Sequence, residues 1–259
     1  MLGGKSKNEF DALVVGVGLT LLFFGVVWAV FNFVFQDLNQ RVFLIICGKW
    51  PGGLIQFFTF LAFFWAMMLL GSKSRKLEWE RKALALNLLP EDEHKVMLPD
   101  QINDLRLTLA KKGDWKDSVL VKILNMACTK FRANKSVQET MEVVRIQSDI
   151  SMNYLDTSFS IIRYLAWSIP SIGFIGTVFG ISGALGQMDA AAAGDLSGVT
   201  SLLGTAFDTT LVALFLSIIL MFRIHRIQQI EETFIIQVQD YIMQNFVNRI
   251  YVPKSERLN

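Results

Sequence analysis

The chain has 259 residues, of which 52% are hydrophobic and 19% charged, and 21 are phenylalanine. A water-soluble domain carries more charge and less oil, so this balance points to a membrane protein. The near-neutral formal charge of +2 gives no support to a nucleic-acid binder, and the charge runs read as solvated faces.

Uncharged stretches set out the elements in chain order. Between Asp11 and Asp37 lie 25 residues without a charge, between Lys49 and Lys73 lie 23, and between Arg163 and Asp189 lie 25. Each is long enough to cross roughly 30 Å of hydrocarbon as a helix rising about 1.5 Å per residue. A fourth gap, from Asp195 to Arg223, is interrupted by Asp208. The fold predicted is an all-α membrane protein with four transmembrane helices and a helical cytoplasmic region. Its parts are 1–70 (tail and spans one and two), 71–160 (cytoplasmic helices), 161–222 (spans three and four) and 223–259 (cytoplasmic helix and tail). The first span follows Lys5 and Lys7 but is too long for a signal peptide and lacks a small-x-small cleavage site, so it is expected to remain as an anchor.

Basic residues give the orientation. Lys5 and Lys7 precede span one, Lys73, Arg75, Lys76, Arg81 and Lys82 follow span two, and Arg223, His225 and Arg226 follow span four. The connection "DAAAAGDLSG" has two Asp and neither Lys nor Arg. Both termini and the 71–160 segment are therefore placed in the cytoplasm. Arg41 and Lys49 against Asp37, in the 36–50 loop, weigh less in the opposite direction.

Within the cytoplasmic segment, "KSRKLEWERKALALNLLP" reads as a helix ended by Pro90, and apolar positions 98, 102, 105 and 109 make a second helical stripe. After "KKGDW", one long helix is expected from about Asp117 through Tyr154. Beyond span four, Ile227, Ile230, Phe234, Val238, Ile242 and Phe246 recur every three or four residues without Pro or Gly. That spacing makes a cytoplasmic helix whose seam is expected to pack on the 117–154 helix.

Catalytic chemistry finds little footing. Cys47 and Cys128 form no CxxC, His94 and His225 have no ligand spacing, and no phosphate-binding loop occurs. The expectation is no enzyme, no metal and no cofactor.

Polar residues inside the spans are the functional candidates. In span three, Gly173, Thr177, Gly180 and Ala184 fall on one side, with Gly176 and Gly180 extending the narrow surface; small residues there let another backbone approach. In span four, Ala206, Thr210, Ala213 and Ser217 form a similar stripe, with Thr205, Asp208 and Thr209 on an adjoining face. A carboxylate costs about 2.5–3.5 kcal/mol in a membrane helix on the insertion scale. Asp208 is thus either satisfied inside its own subunit or borders an ion route.

"PSIGFIGTVFG", from Pro170 to Gly180, together with the acidic "DLSG" and "GTAFDTTLVALFLSI", resembles the two signatures of the MotA/TolQ/ExbB proton-channel family. The resemblance is close over roughly 160–225. Ala213 and Ile219 stand where the family often has glycine and proline. Two spans ahead of the cytoplasmic segment resemble the flagellar stator layout, whereas "GFIGTVFG" is more like the Tol and Ton branch.

The resemblance implies a homopentamer around two copies of a single-span partner whose membrane Asp carries H+, or alternatively Na+, in a bacterial inner membrane. Ion flow through such a complex drives mechanical work. It implies an ion pathway drawn from Thr177 and Thr210, with Thr209 as a rival, and with Asp208 and Thr205 nearby. Thr177 and Thr210 from neighbouring subunits are expected to line the inner surface beside the partner helix. The alternative is a non-conducting membrane scaffold that recruits a cytoplasmic protein.

Overall fold

The structure, a computed structural model, describes residues 2–33, 40–48, 52–86, 88–90, 96–111 and 115–251; the side chains of 2–8, 31–33, 40–42, 44, 110 and 111 are left aside. The 36–50 loop, "PEDEHKVMLP", "KKGDW" and the chain end thus fall wholly or partly outside the description. The helices are α1 (Leu2–Phe33), α2 (Gln40–Cys47), α3 (Gly52–Leu84), α4 (Pro99–Lys111), α5 (Val119–Asn134), α6 (Val137–Ser158), α7 (Ser160–Leu185), α8 (Met188–Ala192) and α9 (Ser197–Asn245). No β-strand occurs among the described residues, and four helical stretches are long and apolar enough to cross a membrane. The chain is an all-α, multi-pass membrane protein.

It divides into two compact units, Met1–Ser72 with Ser160–Arg226, and Lys73–Phe159 with Ile227–Asn259. In the first, α1 lies against α3 at Gly16, where a Cβ would sit 3.2 Å from the Trp65 backbone. Thr20, fully buried one turn on, donates its hydroxyl to the Gly16 carbonyl at 2.7 Å, so it enters an apolar contact with no hydrogen bond left unmade. Phe23 and Phe24 then meet Phe60 with ring centroids at 4.8 and 5.6 Å. These rings fill the space between helices, while Val14, Leu21, Leu22 and Trp28 are exposed, as side chains facing lipid would be.

In the second unit, α4, α5, α6 and the later part of α9 enclose one apolar core. Ile102 and Leu109 come from α4, Leu120, Ile123, Leu124 and Phe131 from α5, Val144 from α6, and Phe234, Val238, Ile242 and Phe246 from α9. The seam of α9 therefore joins the same core as α5.

The single helix expected over 117–154 is instead two. Lys135 adopts φ 49°, and its N–H bonds the Phe131 carbonyl, closing α5 in a left-handed cap. Ser136 then opens α6 by accepting from the Glu139 N–H at 3.3 Å. The start of α5 is satisfied from elsewhere: the Glu80 carboxylate, on α3, accepts from the Val119 N–H at 3.0 Å.

The end of the second unit is tied back onto its earlier part. Met97 and Ile250 form a parallel bridge, Met97 N–H to Arg249 carbonyl at 2.8 Å and Tyr251 N–H to Met97 carbonyl at 3.1 Å. Arg249 also donates to the Pro90 carbonyl at 2.7 Å, and the Tyr241 hydroxyl accepts from the Leu89 N–H at 3.1 Å.

Candidate functional site

The site is built where α7 and α9 touch in the first unit. Gly173, Gly176, Gly180 and Ala184 make the buried stripe of α7, and each glycine is filled from α9. A Cβ at Gly173 would strike Ala213, one at Gly176 would strike Thr209, and one at Gly180 would come within 2.6 Å of the Ala206 Cβ and 2.8 Å of the Leu202 carbonyl. Hydrogen at these positions is what lets the helices approach this closely. Ala206 and Ala213 are fully buried on the α9 side, while Ser217 and Pro170 are half-buried. Pro170 lies inside α7, where it supplies no N–H to the helix.

This close approach brings the hydroxyls together. The Thr177 and Thr210 Oγ1 atoms are directly hydrogen-bonded. Thr210 also reaches the Gly173 carbonyl at 3.0 Å and its own Ala206 carbonyl at 3.2 Å, and Thr177 reaches the Ala206 carbonyl at 3.3 Å. Within one chain the two threonines are paired, because the glycine stripe of α7 accepts its own α9.

Each hydroxyl has one proton and two lone pairs. Two proton orders therefore satisfy the pair: Thr177 donates to Thr210, which donates to Gly173, or Thr210 donates to Thr177, which donates to Ala206. Rotating the two O–H bonds interconverts them without moving a heavy atom. Both side chains are half-buried, so the pair keeps lone pairs for a further group.

Thr209 is placed differently. It is 1% exposed, lies against Gly176 and donates to the Ala206 carbonyl at 3.0 Å. It belongs to the packing seam with Ala206 and Ala213. Thr205, one turn earlier, lays its methyl against Gly52 at the start of α3 and its hydroxyl on the Ser201 carbonyl at 3.1 Å. Asp208 is half-buried, and its backbone carbonyl receives a 3.5 Å contact from Gln56.

Gln56 was not among the sequence candidates. Fully buried in α3, it donates chiefly to the Ile45 carbonyl of α2 at 2.7 Å, so it ties α2, α3 and α9 together. The signal was available: a lone amide in "GGLIQFFTFLAFFW" raises the same question of a buried partner as Asp208 does. The short helix α2 was also missed. It closes at Gly48, φ +67°, where a Cβ would lie 2.7 Å from the Gly53 nitrogen.

Among the described residues, no cluster of three or more His, Cys, Asp or Glu could hold a metal ion. No curated protein and no solved structure matches the chain. Residues 114–240, which include α5, α6, α7 and most of α9 with both threonines, match the profile of the MotA/TolQ/ExbB proton channel family. With the α7 and α9 signatures packed face to face, the chain carries a MotA/TolQ/ExbB proton channel family domain.

Proposed function

We propose that this chain is the ion-conducting subunit of a motor that converts proton motive force into mechanical work. The observation that carries this reading is the Thr177–Thr210 hydroxyl pair, set where the two signature helices meet. In this reading several copies, five by family resemblance, surround two copies of a single-span partner with a membrane Asp. The assembly sits in a bacterial inner membrane with both termini in the cytoplasm.

The chemistry follows from the two proton orders. A carboxylate arriving beside the pair accepts an O–H from it; a protonated carboxyl donates to it instead. The pair serves both states by rotating hydroxyl hydrogens, so the acid can gain and lose charge without stranding a polar atom in a low-dielectric setting. A membrane potential contributes about 2.3 kcal/mol per charge per 100 mV, which biases proton arrival from outside and release to the cytoplasm. H+ suits hydroxyls that switch between donor and acceptor better than Na+, which takes acceptors only. Thr210, half-exposed beside Thr177, fits this role better than Thr209, which is enclosed in the seam.

The test is voltage-driven proton uptake by the complex in proteoliposomes. Thr177→Val with Thr210→Val preserves shape and removes both hydroxyls, and uptake is expected to fall at least about tenfold, the equivalent of ~1.4 kcal/mol on the barrier. Unchanged uptake would remove the threonines from the route. A wild-type complex that passes no ions would favour the scaffold reading.

A further inference from the structure

The chain passes between its two units three times, at 72/73, 159/160 and 226/227. Within the second unit, residues close to all three passages meet on one cation. Lys73, on α3, makes an ion pair with Glu231 of α9 at 3.5 Å. It donates to the Ser158 hydroxyl, which itself donates to the Leu155 carbonyl at 2.6 Å. It also lies over the ring of Phe159, 4.1 Å from the centroid. Ser158 is the last residue of α6, and Phe159 is the single residue separating it from α7.

The cluster is enclosed. Phe159 is fully buried, and the Lys73 and Glu231 side chains are 17% and 13% exposed. At that burial an ammonium needs its partners, and losing either charge takes the opposite charge at contact distance from the other. The ammonium also stands at the C-terminal end of α6, where the helix dipole favours a cation. Lys76 and Glu80 are within electrostatic reach of Glu231, and Glu80 in turn holds the start of α5.

We propose that Lys73 is a positioning residue: it clamps α3, the α6–α7 joint and α9 together, fixing the register in which α7 and α9 present Thr177 and Thr210. The role follows from connectivity. α7 begins one residue after the clamp, and α9 is an unbroken helix from Ser197 to Asn245 that carries Thr210 and Glu231 alike. A clamp on α9 itself and on the residue that leads into α7 resists sliding or rotation of the two chain segments at that point. This role rests on the ion-driven reading above, so its test has two arms.

Hydrogen exchange of the purified protein reads the clamp itself. Lys73→Met and Glu231→Gln are each expected to speed exchange of amides 155–160, Lys73→Met by about tenfold or more, with the double variant within about twofold of Lys73→Met, because Lys73→Met already removes the contact that Glu231→Gln removes. Lys73→Arg is expected to retain protection. Unchanged exchange, or effects that multiply in the double variant, would overturn the clamp. Should Lys73→Met fail to fold, Glu231→Gln, which leaves the ammonium on Ser158 and Phe159, carries the measurement.

Voltage-driven proton uptake by the native complex reads the consequence. Lys73→Met is expected to lower uptake at equal recovery of assembled complex, and Lys73→Arg to preserve it. Faster exchange with unchanged uptake would reduce Lys73 to a structural residue and overturn the positioning role. A wild-type complex without uptake would overturn the ion-driven reading while leaving the exchange result to decide the clamp.

Discussion

At the scale of single residues, the glycines of α7 and α9 make opposite predictions. A methyl at Gly180 meets the Leu202 carbonyl and Ala206, neither of which is a flexible side-chain end. Gly180→Ala is therefore expected to lose about 1–3 kcal/mol through overpacking. Gly204, in α9, has nothing within 4 Å of the same position. Gly204→Ala is expected to be neutral or to gain roughly 0.5–1 kcal/mol from reduced backbone freedom in the unfolded chain. Thermal unfolding of both variants in one detergent checks the contrast. The glycine stripe was legible in the sequence because period and residue size define it. Its partner was not: spacing shows that a backbone approaches, but the same stripe serves a neighbouring subunit or the chain's own α9 equally well.

Cys128 offers a second measurement at this scale. It is buried on α5 in the core of the second unit, and desolvation pushes its thiol up to about 12. At pH 8 almost no thiolate forms, and access is blocked as well. Cys128 is expected to resist alkylation in the native protein and to react once the second unit opens, as read by mass spectrometry of its peptide. Rapid native labelling would show that this core opens far more readily than its packing implies.

At the scale of elements, the spans were legible because a membrane helix announces itself by the absence of charge. The α5–α6 break was harder to read. "NKSVQE" carries a Ser at 136 and a Glu at 139, the spacing of a capping box, and the structure uses Ser136 as the N-cap of α6. Its partner signal was masked, because the left-handed residue before it is Lys135 and not glycine. A lysine in a run of polar helix formers looks like continuing helix. The start of α5 was legible to within two residues, at about Asp117, but its cap was not: Glu80 supplies it from 39 residues away, and local sequence carries no trace of a cap borrowed from another helix. Asp208 and Gln56 show the same limit, since each was visible as an anomaly and neither named its neighbours.

At the scale of the molecule, the second unit draws its core from two separated stretches, one in 73–159 and one in 227–259. Removing everything after Gln228 takes away Phe234, Val238, Ile242 and Phe246 and the residues that bridge Met97. The truncated chain is expected to insert in the membrane, because the apolar part of α9 remains. Its 73–159 segment is expected to become sensitive to protease, and, on the function proposed above, ring assembly and ion-driven uptake are expected to be lost. Limited proteolysis of membranes, followed by sizing of the detergent extract, checks both parts; a protected, normally assembled truncation would show that α4, α5 and α6 suffice.

The same discontinuity orders events during synthesis. The ribosome delivers Leu120, Ile123, Leu124 and Phe131 long before Phe234 through Phe246. Between those moments α7 and the apolar half of α9 must be made and handed to the membrane. The nascent 73–159 segment thus waits with an open apolar face until the last membrane crossing is complete. Closure of its core becomes a checkpoint on insertion: a chain whose fourth crossing fails leaves those side chains uncovered, in the state that chaperones and proteases recognise.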